Sequence, residues 1–198
     1  MTDVSIIIIG QTTETLWSLA PETRLTRTAL RAGAGAVKTL EQLGPEEPAL
    51  ILRADAVIEE RLLRALLAKT GVILTVLSRQ TGKTMALAAR VDGKAAAEAA
   101  ANILQENCLD SSSDVFSYAD AEAIGGAYDP ILRKQAIPFA ARLGDTPKTE
   151  LEKLTFGASY KGATDFVTKY AWPTPARFVT RWCAAARSEE HTSELQSP

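Results

Sequence analysis

The sequence predicts an α/β fold of three layers, a mostly parallel sheet between helices, followed by amphipathic helices, and three observations carry that prediction. Val4 to Ile9 is a short, β-branched apolar run of the kind buried on both faces of a sheet. Ile58 to Lys69 sets Leu62, Leu63, Leu66 and Leu67 along one side of a helix. Strand-like and helix-like patterns alternate as far as Gln105, the order that lays helices over both faces of a sheet.

The elements follow in chain order. After the first strand, Pro21 to Ala32 and Val37 to Leu43 read as helices, and Ala49 to Arg53 as a strand. Past the Leu-lined helix, Val72 to Leu77 and Met85 to Val91 read as strands and Lys94 to Gln105 as an Ala-rich helix. Thr81-Gly82-Lys83-Thr84 resembles the end of a P-loop, but the earlier glycine that motif needs is Leu77, so the segment reads as a turn between strands. Ser111 to Asp114 reads as a loop, and Asp120 to Ile124 as a short helix stopped by Gly125-Gly126. A helix running toward Tyr170 opens either at the capping box Thr149-x-x-Glu152 or at Thr146 before Pro147. Trp172-Pro173-Thr174-Pro175 ends it, and Thr174 caps a second helix with Pro175 in its first position. The expected division is an α/β domain over 1–126, a connecting segment over 127–148, and amphipathic helices over 149–187.

A chain of 198 residues with 46 % hydrophobic and 23 % charged side chains suits one globular domain and a tail. Its richest apolar stretch, Leu62 to Leu77, is broken by Arg64 and Lys69, so no bilayer span is expected. Met1-Thr2-Asp3 lacks the cationic lead of a secretory signal, which predicts a cytoplasmic origin. Cys108 and Cys183 match no metal-ligand spacing and are expected to be reduced. Arg187 to Ser197, RSEEHTSELQS, reads codon by codon as the translation of a short-read sequencing adapter, so 188–198 are set aside as an artefact. The sole histidine, His191, goes with them, which removes histidine triads, histidine bases and histidine-ligated metal. The natural reading frame is expected to continue past that point.

Charge and aromatic residues divide the remainder. Met1 to Glu150 is acidic, with 16 Lys and Arg against 19 Asp and Glu, whereas Leu151 to Arg187 carries six basic against two acidic residues. That second segment also holds seven of the 12 aromatics. Phe166, Val167, Tyr170 and Phe178, Val179, Trp182 share one helical spacing, with Lys169, Arg177 and Arg181 beside them. Rings at headgroup depth and cations against anionic lipid are what an interfacial helix needs. The competing reading packs these rings onto the α/β domain.

Sites for small ligands are sparse. The loop Gly10 to Glu22 leaves the carboxyl end of the first strand, where α/β sheets bind ligands, and it leads to Arg24 and Arg27. It lacks the Gly-x-Gly that would cradle a triphosphate. Asp55, just past a strand end, is placed either to hold a divalent metal for a nucleotide or to cap the helix that follows. Asp129, Arg133 and Lys134 before Pro138 form either a phosphate site or a salt-bridged turn.

The strings YDPILRKQAIPF and SYKGATDFVTKYAWPTPARFVTRWCA, with WSLAPETRLTRTALRAGA and LRADAVI before them, resemble the N-terminal cytoplasmic region of bacterial CDP-alcohol phosphatidyltransferase family proteins. The resemblance implies a degenerate nucleotidyltransferase-like α/β domain ahead of a juxtamembrane segment and a membrane enzyme. That enzyme moves a substituted phosphate from a CDP-linked donor to an alcohol in phospholipid synthesis, using divalent metal such as Mg²⁺ on a D-G-x-x-A-R motif. Asp92-Gly93 is followed by Lys94-Ala95-Ala96-Ala97 and does not match, so no catalytic residue is expected here and no cofactor in this portion. The resemblance further implies the cytoplasmic face of the inner membrane and an anionic membrane surface as partner. Lys161, Phe166, Lys169, Tyr170, Trp172, Arg177, Phe178, Arg181 and Trp182 would form that contact. A cytidine nucleotide is a second candidate partner, on the alternative that the domain is an active cytidylyltransferase with Asp55 on its metal side. A non-enzymatic soluble interaction module is the third reading, and no nucleic acid is expected.

Overall fold

Alternation along each strand decides which side chains meet which layer. In the computed structural model, which describes residues 3–105, 115–129, 134–159 and 175–183, the first strand, β1 (Ser5–Ile9), sends Ile6 toward α1 (Pro21–Ala32) and α2 (Glu60–Leu67). Ile7 and Ile9 point the other way, toward Ala96, Ala99 and Ile103 of α3 (Gly93–Leu104). The neighbouring β2 (Pro48–Arg53) repeats the division, with Leu50 and Leu52 on one face and Ala49 and Ile51 on the other. The short α4 (Ala121–Gly125) adds Ile124 to the α1 and α2 side. Helices therefore cover both faces, and the α/β class holds. Fully burying a Leu or Ile contributes about 1.5–3 kcal/mol, so the leucine stripe of α2, with Leu62, Leu63 and Leu66 at 0 % exposure, fixes that helix on the sheet.

The sheet is mixed. Its order is β1, β2, β5 (Thr84–Asp92), β4 (Val72–Leu77), β6 (Ser117–Ala119), parallel at the two outer pairings and antiparallel at the two inner ones. The expectation of a mostly parallel sheet holds only at its ends, because the turn over 78–83 is too short for a crossover and can only join antiparallel neighbours. That turn is the Thr81-Gly82-Lys83-Thr84 segment, with Gly82 at φ +66° and Ser78 N–H donating to the Lys83 carbonyl at 2.9 Å. A register shift between Leu74 and Thr75 leaves Leu87 as an extra residue in β5, so Leu87 and Ala88 both face the α1 and α2 side.

Three local expectations are corrected. Val37 to Leu43 is not a helix: Val37 lies extended beside Ile6, and only Leu40–Gln42 turns, as a 3₁₀ segment. This segment covers the outer edge of β1, where Ile6 N–H donates to Ala36 and Lys38 N–H donates to Ile6. Ile58 belongs to a strand, β3 (Ala56–Ile58), rather than to α2. Consequently Asp55 sits in the turn between β2 and β3 and caps no helix.

The connecting segment expected over 127–148 is partly folded onto the body. A two-residue ladder, β7 (Tyr128–Asp129) with β8 (Lys134–Gln135), is followed by β9 (Ala140–Arg142), which pairs antiparallel with β3. Then α5 (Lys148–Ser159) buries Leu151 at 0 % exposure in a small third core with Leu16, Val57 and Leu143. Polar contacts reinforce it. The Arg79 guanidinium grips Glu150 at 2.8 and 2.9 Å, and Asp145 accepts from Ser78 Oγ at 2.5 Å and from the Arg79 amide at 3.1 Å. The final described helix, α6, covers 175–183, and its expected cap Thr174 lies outside the described residues. No helix among the described residues is long and apolar enough to cross a membrane.

Candidate functional site: an arginine-bearing crevice and an exposed aromatic helix

Because β1 and β2 are parallel, the loops after them emerge at the same sheet edge. There the Leu16–Leu19 turn, α1, the start of α2, Phe139 and α5 enclose a cavity of about 530 Å³. Leu16 is pinned in the third core and Leu19 N–H closes the turn on the Leu16 carbonyl at 3.1 Å. The two central residues, Trp17 and Ser18, both hold positive φ (56° and 55°). A turn of that shape favours Asn-Gly, and its occupancy by Trp and Ser is a local strain of the sort that functional loops retain. The result is fixed placement of the indole, whose Nε1 donates to Thr155 Oγ1 at 3.0 Å, beside the Phe156 ring 6.1 Å away.

On α1, helical spacing puts Arg24, Thr28 and Arg31 along the cavity, while Arg27 is exposed and does not line it. Burial pushes the Arg24 guanidinium down to about 10, with the charge of Asp55 opposing that shift. It remains a cation at neutral pH. The other arginines are occupied. Arg31 and Arg64 both reach Glu60, at 3.3 and 2.6 Å, and Arg61 donates to the carbonyls of Tyr128 and Ala136. Glu59 locks the floor, its amide donating to the Phe139 carbonyl while its carboxylate accepts the Phe139 amide at 3.3 Å.

Asp55 lies beneath this crevice in a setting that does not suit a metal. Arg142 Nε donates to Oδ2 at 2.6 Å, and Arg53 Nε stands 3.0 Å from Oδ1 at an angle too bent for a hydrogen bond. With Arg24 acting on it electrostatically as well, one carboxylate faces three guanidinium groups. A divalent ion would have to displace two of them, so the donors present do not fit one. Among the described residues, no three His, Cys, Asp or Glu side chains cluster as metal ligands. Asp55 instead ties β9 to the turn after β2 as a buried ion pair. Sequence reasoning missed Arg142 and Asp145, since both find their partners more than 60 residues away.

Asp129 and Lys134 are register partners across β7 and β8, and Arg133 lies outside the described residues. The Asp92-Gly93 pair has a structural explanation. It joins β5 to α3, and a Cβ at Gly93 would stand 1.9 Å from the Gly44 carbonyl oxygen, so glycine is required for backbone approach.

Of the expected membrane-contact residues, Lys161, Phe166, Lys169, Tyr170 and Trp172 lie outside the described residues. The remainder are on α6. Phe178, Val179 and Trp182 are 61, 58 and 73 % exposed, and the Arg177 guanidinium stands 5.7 Å from the Phe178 ring centroid. Arg181 is directed to Glu152 of α5 at 3.4 Å, an ion pair that fastens the helix to the body. Apolar rings facing out on a basic helix form a patch that water alone does not explain.

No family model matches this chain, and no curated protein matches it.

Proposed function

We propose that this chain is the N-terminal cytoplasmic part of a CDP-alcohol phosphatidyltransferase family protein. In this reading it is a degenerate nucleotidyltransferase-like module without transfer chemistry of its own, resting on the anionic inner-membrane surface through α6 and the basic aromatic stretch before it. The observation that carries the reading is the outward face of α6, where Phe178, Val179 and Trp182 stand exposed beside Arg177. An interfacial helix places rings at the acyl boundary and gains about 1 kcal/mol per cation near an anionic surface. The sequence strings around Tyr128 and from Tyr160 to Cys183 supply the family.

Two alternatives are less well supported. An active cytidylyltransferase would use Asp55 beside a metal, and that carboxylate is engaged by Arg53 and Arg142. A soluble module whose aromatic helices pack on its own sheet would bury Phe178 and Trp182, and both are exposed.

Flotation of the whole chain with vesicles tests the membrane half of the proposal. Binding to phosphatidylglycerol-containing vesicles, weakened by salt and by the combined Lys161→Glu, Lys169→Glu and Arg177→Glu changes, is the expected result. Equal recovery on neutral phosphatidylcholine, or none on either, contradicts it. The family half is tested by the uninterrupted genomic frame past Cys183, which should encode a D-G-x-x-A-R helix; a frame without one overturns it.

A further inference from the structure

The crevice carries a second inference that stands apart from the membrane reading. Its volume, about 530 Å³, lies in the range of small-molecule sites. Leu16, Leu19, Ile58 and Phe139 make its walls apolar, and Arg24 joins them from α1 as a cation held by no ion pair of its own among the described residues. Arg24 Nε and Nη2 are both buried with no hydrogen-bond partner. Leaving such donors unmet is costly, and the nearest counter-charge, Asp55, is already bound by Arg53 and Arg142. Four arginines line the cavity against two glutamates, so its field favours an anion.

The aromatic geometry indicates what the anion is attached to. The Trp17 and Phe156 rings are 6.1 Å apart and inclined at 39°, packed on one another as a wall. A flat base could not be sandwiched between them, since parallel stacking on both faces needs more separation than that. A flexible aliphatic chain can follow the wall.

We propose that this cavity binds an amphiphilic anion, an aliphatic chain ending in one phosphate or carboxylate, with the anionic head against the Arg24 guanidinium and the chain along Trp17, Leu19 and Phe139. The single anchoring guanidinium suits one head group rather than a triphosphate. Thr180 of α6 also lines the cavity, so an occupant touches the helix proposed to meet the membrane.

Calorimetric titration of the full chain tests the site with four probes below their aggregation limits: dodecyl phosphate, dodecanoate, inorganic phosphate and dodecanol. Saturable one-to-one binding of dodecyl phosphate or dodecanoate is expected, and whichever binds more tightly identifies the head group. Inorganic phosphate and dodecanol should each bind about tenfold or more weakly, and Arg24→Gln should cost a similar factor. Absence of saturable binding by both amphiphiles overturns the proposal, as does dodecanol binding equally well, CTP, titrated as a fifth probe, binding more tightly than either, or unchanged affinity in Arg24→Gln. Should Arg24→Gln fail to fold, Thr28→Trp, which fills the cavity from its rim, decides: lost affinity supports the site and retained affinity overturns it. Vesicle flotation of a folded Arg24→Gln chain should be unchanged, whereas its loss would merge the cavity with the membrane contact and overturn it as a separate site.

Discussion

α5 and α6 both follow the sheet, both carry apolar and charged residues, and they end up on opposite sides of the boundary between body and surface. α5 buries Leu151 among Leu16, Val57 and Leu143, and its Glu150 is held by both Arg79 terminal nitrogens. α6 turns Phe178, Val179 and Trp182 outward and pairs Arg181 with Glu152 of the body. The difference teaches that amphipathic pattern alone does not say what a helix faces. What separates the two is the receiving surface: Leu16, Val57 and Leu143 provide α5 with an apolar seat, whereas α6 meets the crevice at Thr180 with its large apolar side chains outward.

Breaking the seat of α5 should produce the largest effect. Asp55→Asn leaves Arg53 and Arg142 without their counter-charge and should cost about 3–4 kcal/mol in urea unfolding, the upper range being reduced because Arg142 is partly open to water. Mg²⁺ should leave the stability of both proteins unchanged. Leu151→Ala, which opens a void in the third core, should cost about 3 kcal/mol and loosen α5 while leaving hydrogen exchange in β1 and β2 intact.

A smaller, pH-dependent effect belongs to the body alone. The Lys38 ammonium, 2.5 Å away, together with Ser5 Oγ and the Gly44 amide, lowers the Glu47 carboxyl from 4.5 to about 2. A folded value below the unfolded one contributes stability that is complete above about 4.5 and is lost as pH falls toward 2. Glu47→Gln should therefore flatten the stability profile in that window, measured by urea midpoints at successive pH values. An unchanged slope would show that another group carries the acid sensitivity.

Changing α6 should do least to the fold. Phe178→Ser with Trp182→Ser should shift stability by no more than about 0.5 kcal/mol, since neither ring is buried. A larger loss would mean that α6 is seated like α5 and would erase the comparison.

These two regions also show where sequence reading succeeds. Ile6 to Ile9, Leu50 to Leu52 and the leucines of α2 declare themselves by periodicity, because each strand or helix is long enough to repeat its pattern. Three-residue strands such as Ala56–Ile58 and Ala140–Arg142 hold too few residues to show a period, so the seat of α5 was invisible and the segment before it read as a connection. The crevice was half legible. Position at the carboxyl edge points to Arg24 and the loop after β1, but Phe139 and Phe156 reach the cavity through the placement of β9 and α5. Asp55 looks like a metal or cap residue in sequence because its partner Arg142 is 87 positions away.

The placement of Trp182 tests the central claim most directly. In a chain carrying Trp17→Phe and Trp172→Phe, the emission of Trp182 is followed as phosphatidylglycerol vesicles are added, with brominated acyl chains as quencher. A blue shift with quenching at shallow depth, absent with neutral vesicles and reversed by salt, is the predicted result. Emission that stays red and unquenched on anionic vesicles while the protein remains folded would contradict it.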